Sequence, residues 1–174
     1  METRVVVVCG ECQVHWYADH ESAKCTRSEH AHRRVGLHRH RSDLVLPDGT
    51  SIMAVSFDGD DPYTRGRSPD YGLYLDRRWQ PPWTHDHLDW PDFGVPDTAS
   101  TTRALRSVLG RARAGERVEV GCLGGHGRTG TAVACLAISS GYPARNAVDW
   151  VRTAYCTSAV ETPEQETFIA QFQG

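Results

Sequence analysis

Apolar and polar residues follow two different periods along this chain, and the change from one to the other marks out its elements. Near the start, Val5 to Val8 form a short apolar run of strand type. From residue 43 onward the pattern becomes regular. Leu44 to Leu46 and Ser51 to Phe57 are rich in β-formers, and Pro47, Asp48 and Gly49 between them supply turn chemistry, which predicts a hairpin. The stretch from Asp58 to Asp70 contains Gly59, Pro62, Gly66 and Pro69 and reads as a surface loop, whereas Tyr71 to Asp76 reads as another strand. Then the period lengthens. Ala104, Leu105, Val108, Leu109 and Ala112 recur at helical spacing within 98–114, and Gly115 stops the run. A strand over Arg117 to Val120 follows. After it the pattern predicts a helix over about 128–140 that ends at Gly141 and Pro143, a second over 144–155, and a third starting at Thr162 and Pro163. Strands, a helix, a central strand and further helices, in that order, predict an α/β sheet packed with helices.

The chain has 174 residues, enough for one domain with a proper core or for a core of roughly 120 residues with an appendage. Its formal charge of −3 gives no global attraction to nucleic acid or membrane, so any basic site must be local. The opening apolar run is too short for a signal-peptide core, and no window approaches a membrane span. A cytoplasmic protein without a membrane partner is therefore expected. In that setting its cysteines point to thiol chemistry or metal binding rather than to disulfides, with Cys135 and Cys156 expected as small buried side chains in helices.

The chemistry concentrates in GCLGGHGRTG, Gly121 to Gly130, on the predicted strand-to-helix turn. Glycines let the backbone curl so that successive N–H groups face inward, and the helix N-terminus adds its dipole, so Leu123, Gly124, Gly125, His126 and Gly127 form a candidate anion nest. The same field favours the thiolate of Cys122, predicting ionisation near neutral pH, while the planar fork of Arg128 suits two equatorial phosphoryl oxygens. The string Cys122, Gly125, Gly127, Arg128, Thr129, Gly130 resembles the signature loop of the protein tyrosine phosphatase superfamily, C-x-x-G-x-G-R-[ST]-G. Trp90 to Pro96, WPDFGVP, looks like the acid loop of the classical enzymes, and Val160 to Phe168, VETPEQETF, is similar to the family's glutamine loop.

The resemblance implies a protein-tyrosine-phosphatase-like fold, with a central, mostly parallel or mixed sheet flanked by helices. It implies hydrolysis of phosphomonoesters through a cysteinyl-phosphate, with no cofactor in the chemistry. Cys122 then matches the nucleophile, Arg128 the phosphate-binding arginine, Asp92 the general acid and later base, and Thr129 the hydroxyl that eases release of the sulfur. Gln165 matches the second glutamine of its loop and Glu161 replaces the first, in a position that guides the hydrolytic water. Gly121 stands where the family usually has His. There is no clear counterpart of the tyrosine-recognition loop, which places the chain in size near the compact dual-specificity group. Its expected substrate is phosphotyrosine or another phosphorylated protein, or a small phosphomonoester. Alternatives are a pseudophosphatase that only binds phosphate ligands and a phosphatase for a nucleotide, RNA or phosphoinositide.

Three features lie outside those motifs. His126 would meet a second phosphate if protonated, or sit exposed on the loop rim. His85 and His87 fall on one face of a strand if the chain is extended there, as metal ligands, pocket lining or hydrogen-bonded groups. Finally, the composition shifts near residue 43, dividing the chain into a Cys/His-rich appendage, 1–43, and a phosphatase domain, 44–174. In the appendage Cys9, Cys12, Cys25 and His30 are candidate ligands of a structural zinc, with His32 the alternative fourth ligand. The arm from Arg27 to Arg41, with Arg33, Arg34 and Arg39, is a candidate contact for RNA or another nucleic acid, although a solvated face is the commoner meaning of such a run.

Overall fold

The computed structural model describes residues 43–57 and 67–174 in full, and the backbone of residues 5–9, 15–17 and 32–36. Cys12, Cys25, His30 and residues 58–66 of the expected 58–70 loop lie outside the described residues, as do the side chains of Cys9 and His32. Of the arm from Arg27 to Arg41, only the backbone of 32–36 is described. The chain divides into two compact units, Met1–Arg39 and His40–Gly174. The first contains strands β1 (Val5–Cys9), β2 (His15–Tyr17) and β3 (His32–Gly36), joined antiparallel in the order β2-β1-β3.

The second unit is built on strands β4 (Asp43–Val45), β5 (Ser51–Ser56), β6 (Tyr71–Tyr74), β7 (His85–His87) and β8 (Val118–Cys122), in the order β4-β5-β8-β6-β7. Only the β4–β5 hairpin is antiparallel; β5, β8, β6 and β7 run parallel. The expected turn closes that hairpin, with Gly49 at φ 87°, a conformation glycine adopts without a Cβ clash. Helix α1 (Thr98–Arg113) starts at Asp97, whose carboxylate accepts from the Ser100 N–H at 2.8 Å. Helix α2 (Gly127–Ser139) follows β8 directly, and α3 (Ala147–Ala154) and α4 (Pro163–Gln171) complete the unit.

Alternation along the strands sorts the sheet's two faces. Ile52, Ala54, Leu73, Val118 and Val120 join Leu105 and Val108 of α1 and Val133 and Leu136 of α2 in one buried cluster. Full burial of each of the Val, Leu and Ile side chains stabilises the fold by about 1.5–3 kcal/mol. Met53, Val55, Tyr74 and Glu119 alternate to the other face, where the Tyr74 hydroxyl donates to Glu119 Oε1 at 2.9 Å.

Two elements differ from the pattern-based expectation. The helix expected over 144–155 opens as a 3-10 turn, Ala144–Asn146, because Pro143 holds an extended backbone and the first bonds close three residues back, Asn146 N–H to Pro143 O at 3.0 Å. Strand β8 runs two residues beyond Val120, since β5 and β6 pair with it on both sides, Ser56 opposite Cys122 and Tyr74 opposite Gly121. That extension carries Cys122 to the sheet's carboxyl edge.

Candidate active site

In an open parallel sheet, ligands bind outside the carboxyl ends of the strands. Three such ends supply the site here. At Cys122, β8 turns through 123–126 into α2; its neighbour β6 runs on into Leu75 and Asp76; and the chain after β7 passes through 90–96, which holds Asp92.

The turn after Cys122 is held from outside. Ser56 Oγ and the Phe57 N–H donate to the Leu123 carbonyl at 2.9 and 3.0 Å, and the buried Tyr155 hydroxyl donates to the Gly125 carbonyl at 2.6 Å. The His126 carbonyl accepts from Gly130 N–H at 2.9 Å and Val160 N–H at 3.3 Å. Gly125, at φ 70°, makes the left-handed bend this path requires. Meanwhile the main-chain N–H groups of Thr129 and Gly125 act on the Cys122 sulfur, and Thr129 Oγ1 donates to it at 3.0 Å.

Burial pushes the Cys122 thiol up, against the Arg128 charge, the Thr129 hydroxyl and those two N–H groups, and the net direction is upward. Arg128 also shares its charge with carboxylates. Its buried guanidinium donates from Nη1 to the Leu75 carbonyl at 3.0 Å and from Nη2 to Asp76 Oδ2 at 3.2 Å, with Asp92 Oδ1 3.1 Å from the same Nη2. Burial alone would raise the Asp76 carboxyl, but hydrogen bonds from the Arg78 side chain and N–H, with the Arg128 and Arg78 charges, bring it down to about 2.

Asp92 sits on a short turn hung from α4. The buried Trp90 donates its indole N–H to the Gly94 carbonyl at 3.0 Å and packs its ring on Phe168, centroids 6.1 Å apart. Phe93 adopts φ 57°, and its carbonyl accepts from the Thr162 hydroxyl at 3.2 Å. Thr162 also caps α4, accepting from the Gln165 N–H at 3.3 Å. Gln165 is fully buried, and its Oε1 accepts from the Glu161 N–H at 2.8 Å. A β-carbon at Gly127 would stand 2.3 Å from the Glu161 carboxylate and 3.0 Å from the Gln165 amide, so both residues border the turn.

The glycine before the cysteine has a packing reason. A β-carbon on Gly121 would lie 2.4 Å from Val55 Cγ2 and 2.9 Å from the Val55 carbonyl, so neither His nor any other side chain fits beside β5. His126 is buried at 5 % exposure, which removes the exposed-rim alternative. His85 and His87 do share one strand face, with ring centroids 5.0 Å apart. Their ring nitrogens Nδ1 and Nε2 lie 2.7 Å from the carbonyls of Trp83 and Trp79, and among the described residues no group of three or more His, Cys, Asp or Glu is placed to hold a metal. Cys135 and Cys156 are buried free thiols, Cys135 within α2 as expected and Cys156 beyond the end of α3 rather than in a helix. No helix among the described residues is long and apolar enough to cross a membrane.

Cys122, Arg128, Thr129, Asp92, Gln165 and Glu161 are thus brought together from three segments. Asp76 and Tyr155 belong with them, although sequence reasoning missed both. An Asp at the carboxyl end of the expected strand Tyr71 to Asp76 was a usable signal for Asp76. Tyr155 carries none, because its partner is a main-chain carbonyl distant in sequence.

Residues 75–169 match the family model described as Swiss Army Knife protein, DSP-PTPase phosphatase domain. Two uncharacterized proteins of Methanocaldococcus jannaschii are 33 % and 32 % identical over 111 residues, which is 58 % of this chain and 74 % and 68 % of theirs. Among solved structures, Tk-PTP in its active form aligns with a TM-score of 0.59 at 27 % identity, over 73 % of this chain and 92 % of that one. Kinase associated phosphatase aligns with a TM-score of 0.59 at 17 % identity, over 74 % and 90 %, a likeness of fold.

Proposed function

This chain belongs to the protein tyrosine phosphatase superfamily, as a DSP-PTPase phosphatase domain, and from that premise we propose that it hydrolyses phosphomonoesters through a phosphorylated Cys122. Phosphatases of this family need no catalytic cofactor. The observation that carries the reading is the 3.1 Å contact between Asp92 and Arg128, which brings an acid onto the guanidinium beside the buried thiol. In the proposed reaction, phosphoryl oxygens replace the Asp92 carboxylate on Arg128 and take the loop N–H groups. Asp92, freed from Arg128, then stands beside the leaving group as its general acid. Cys122 first loses its thiol proton to solvent; the thiolate then bonds to phosphorus as the ester P–O bond breaks, and the leaving oxygen takes the Asp92 proton. In the second step Asp92 accepts a proton from water bordered by Gln165 and Glu161. That oxygen attacks phosphorus, the S–P bond breaks toward the Thr129 hydroxyl, and inorganic phosphate leaves.

The substrate class proposed first is a phosphorylated protein, with phosphotyrosine its simplest case. Hydrolysis of a generic aryl phosphate tests the reaction itself, and binding without turnover would favour the pseudophosphatase alternative. A panel of phosphotyrosine peptide, nucleotide, phosphoinositide and RNA then sorts the substrates. Asp92→Asn is expected to lower kcat by roughly 10²- to 10⁴-fold. It should also shift alkylation of Cys122 by iodoacetamide to lower pH, because Arg128 loses a competing carboxylate. An unchanged alkylation profile would contradict the sharing of Arg128.

A further inference from the structure

Backbone strain in the second unit falls on the loops of the site. Among the described residues, two that are not glycine have positive φ, Phe93 at 57° and Val160 at 64°. For a β-branched side chain that conformation is a genuine outlier, and it persists only where the surroundings fix it. Phe93 follows Asp92, Val160 precedes Glu161, and the Thr162 hydroxyl links the two stretches by donating to the Phe93 carbonyl at 3.2 Å. Val160 is held on three sides. Its side chain is buried, its N–H donates to the His126 carbonyl of the signature loop at 3.3 Å, and its own carbonyl accepts from Arg152 Nη2 at 3.0 Å. Arg152, in α3, also donates from Nε to the Ala159 carbonyl at 3.1 Å, so two successive carbonyls meet one edge of its guanidinium. That planar fork is what lysine lacks. A β-carbon on Gly130 would stand 2.8 Å from Ala159 Cβ and 3.0 Å from the Val160 nitrogen, which leaves this stretch no room to settle toward α2.

Arg152 Nη2 also lies 2.8 Å from Glu166 Oε1, but the side chains of that pair are 36 % and 49 % exposed, and an exposed ion pair stabilises a fold little. The carbonyl bonds are what Arg152 contributes to this path. Directly downstream, the Glu161 N–H is held by Gln165 Oε1 at 2.8 Å and the Glu161 carboxylate borders Gly127. If Val160 relaxed to an ordinary negative φ, the peptide leading into Glu161 would rotate and carry that carboxylate off the signature loop. Asp92 would keep its place, because its turn hangs from Trp90 through the Gly94 carbonyl at 3.0 Å and the Phe168 ring. The two chemical steps therefore separate. Forming the cysteinyl-phosphate uses Asp92, whereas hydrolysing it also uses the water bordered by Glu161 and Gln165.

We infer that Arg152 is a positioning residue for the second step, holding Val160 in its left-handed conformation so that Glu161 stays beside the water that releases phosphate from Cys122. The inference rests on the phosphatase reading. Its test is a pulse-chase on the full-length protein, in which labelled aryl phosphate loads Cys122, excess unlabelled substrate follows, and acid quenching times the decay of label on the Cys122 peptide. Arg152→Met keeps the length of the side chain and loses its donors. Decay should slow about tenfold, while kcat/KM, which reports formation of the intermediate, stays within about twofold of wild type. Arg152→Lys, with a donor for one carbonyl, should fall between the two. Glu166→Gln should decay as wild type, since it removes the ion pair and leaves both carbonyl bonds. Wild-type decay in Arg152→Met overturns the assignment, as does a decay in Glu166→Gln as slow as in Arg152→Met. So does a loss of kcat/KM as large as the loss in decay, because general loosening of the site would slow both steps. If Arg152→Met fails to fold, Arg152→Lys decides by the same two readouts. Turnover by the wild type with no label ever trapped on Cys122 overturns the phosphatase mechanism itself, and the role of Arg152 with it.

Discussion

Cys122→Ser is expected to lower aryl phosphate turnover by roughly four orders of magnitude or more while leaving the fold and the phosphate pocket in place. The reasoning is local. Serine keeps the shape of the side chain and can still accept the Thr129 hydroxyl, so the turn held by Ser56, Phe57 and Tyr155 has no cause to move. What it loses is a polarizable nucleophile whose anion is accessible. A hydroxyl in the same buried position is far harder to ionise than the thiol. Thermal unfolding should therefore match the wild type, and tungstate or phosphate should still protect the variant against heat. Normal turnover by Cys122→Ser would remove Cys122 from the chemistry.

Arg128→Lys should cost roughly 10³-fold in kcat, with a smaller change in KM. Arg128 is tied by Nη1 to the Leu75 carbonyl, and its Nη2 faces two carboxylates. A planar fork held in that way can turn toward two phosphoryl oxygens without losing its orientation, whereas lysine offers one flexible point charge. Asp76 is a positioning residue in this scheme. Asp76→Asn should lower kcat more than KM, by about tenfold, through a looser Arg128. Its carboxyl, at about 2, is ionised throughout the assay range, so the shape of the pH–rate profile should not change. Stability supplies an independent check. A depressed carboxyl stabilises the fold above its unfolded value near 3.9 and loses that effect as pH falls toward 2, so the stability gap between wild type and Asp76→Asn should close over that window.

The site's local parts were legible in the sequence, because the signature loop, WPDFGVP and VETPEQETF each place their residues within a few positions of one another. Thr162 was legible as a cap for the same reason. Asp76 and Tyr155 were not, since their partners, Arg128 and the Gly125 carbonyl, become neighbours only once β6, β8 and α3 are assembled. Gly121 carries a different lesson. Read along the chain it is a departure from the family's usual His, but beside β5 it is the residue that Val55 allows. In the fold, β2 and β3 went unread because His15-Trp16-Tyr17 and His32 to Gly36 lack the alternation of apolar residues that marks a half-buried strand. Pairing with the valines of β1 defines them instead.

Rapid acid quenching of the wild-type enzyme with ³²P-labelled aryl phosphate, followed by peptide mapping, tests the central claim most directly. The label should be found on the peptide containing Cys122, as a thiophosphate, and should be absent from Cys122→Ser. Accumulation of inorganic phosphate with no label ever trapped on Cys122 would contradict it.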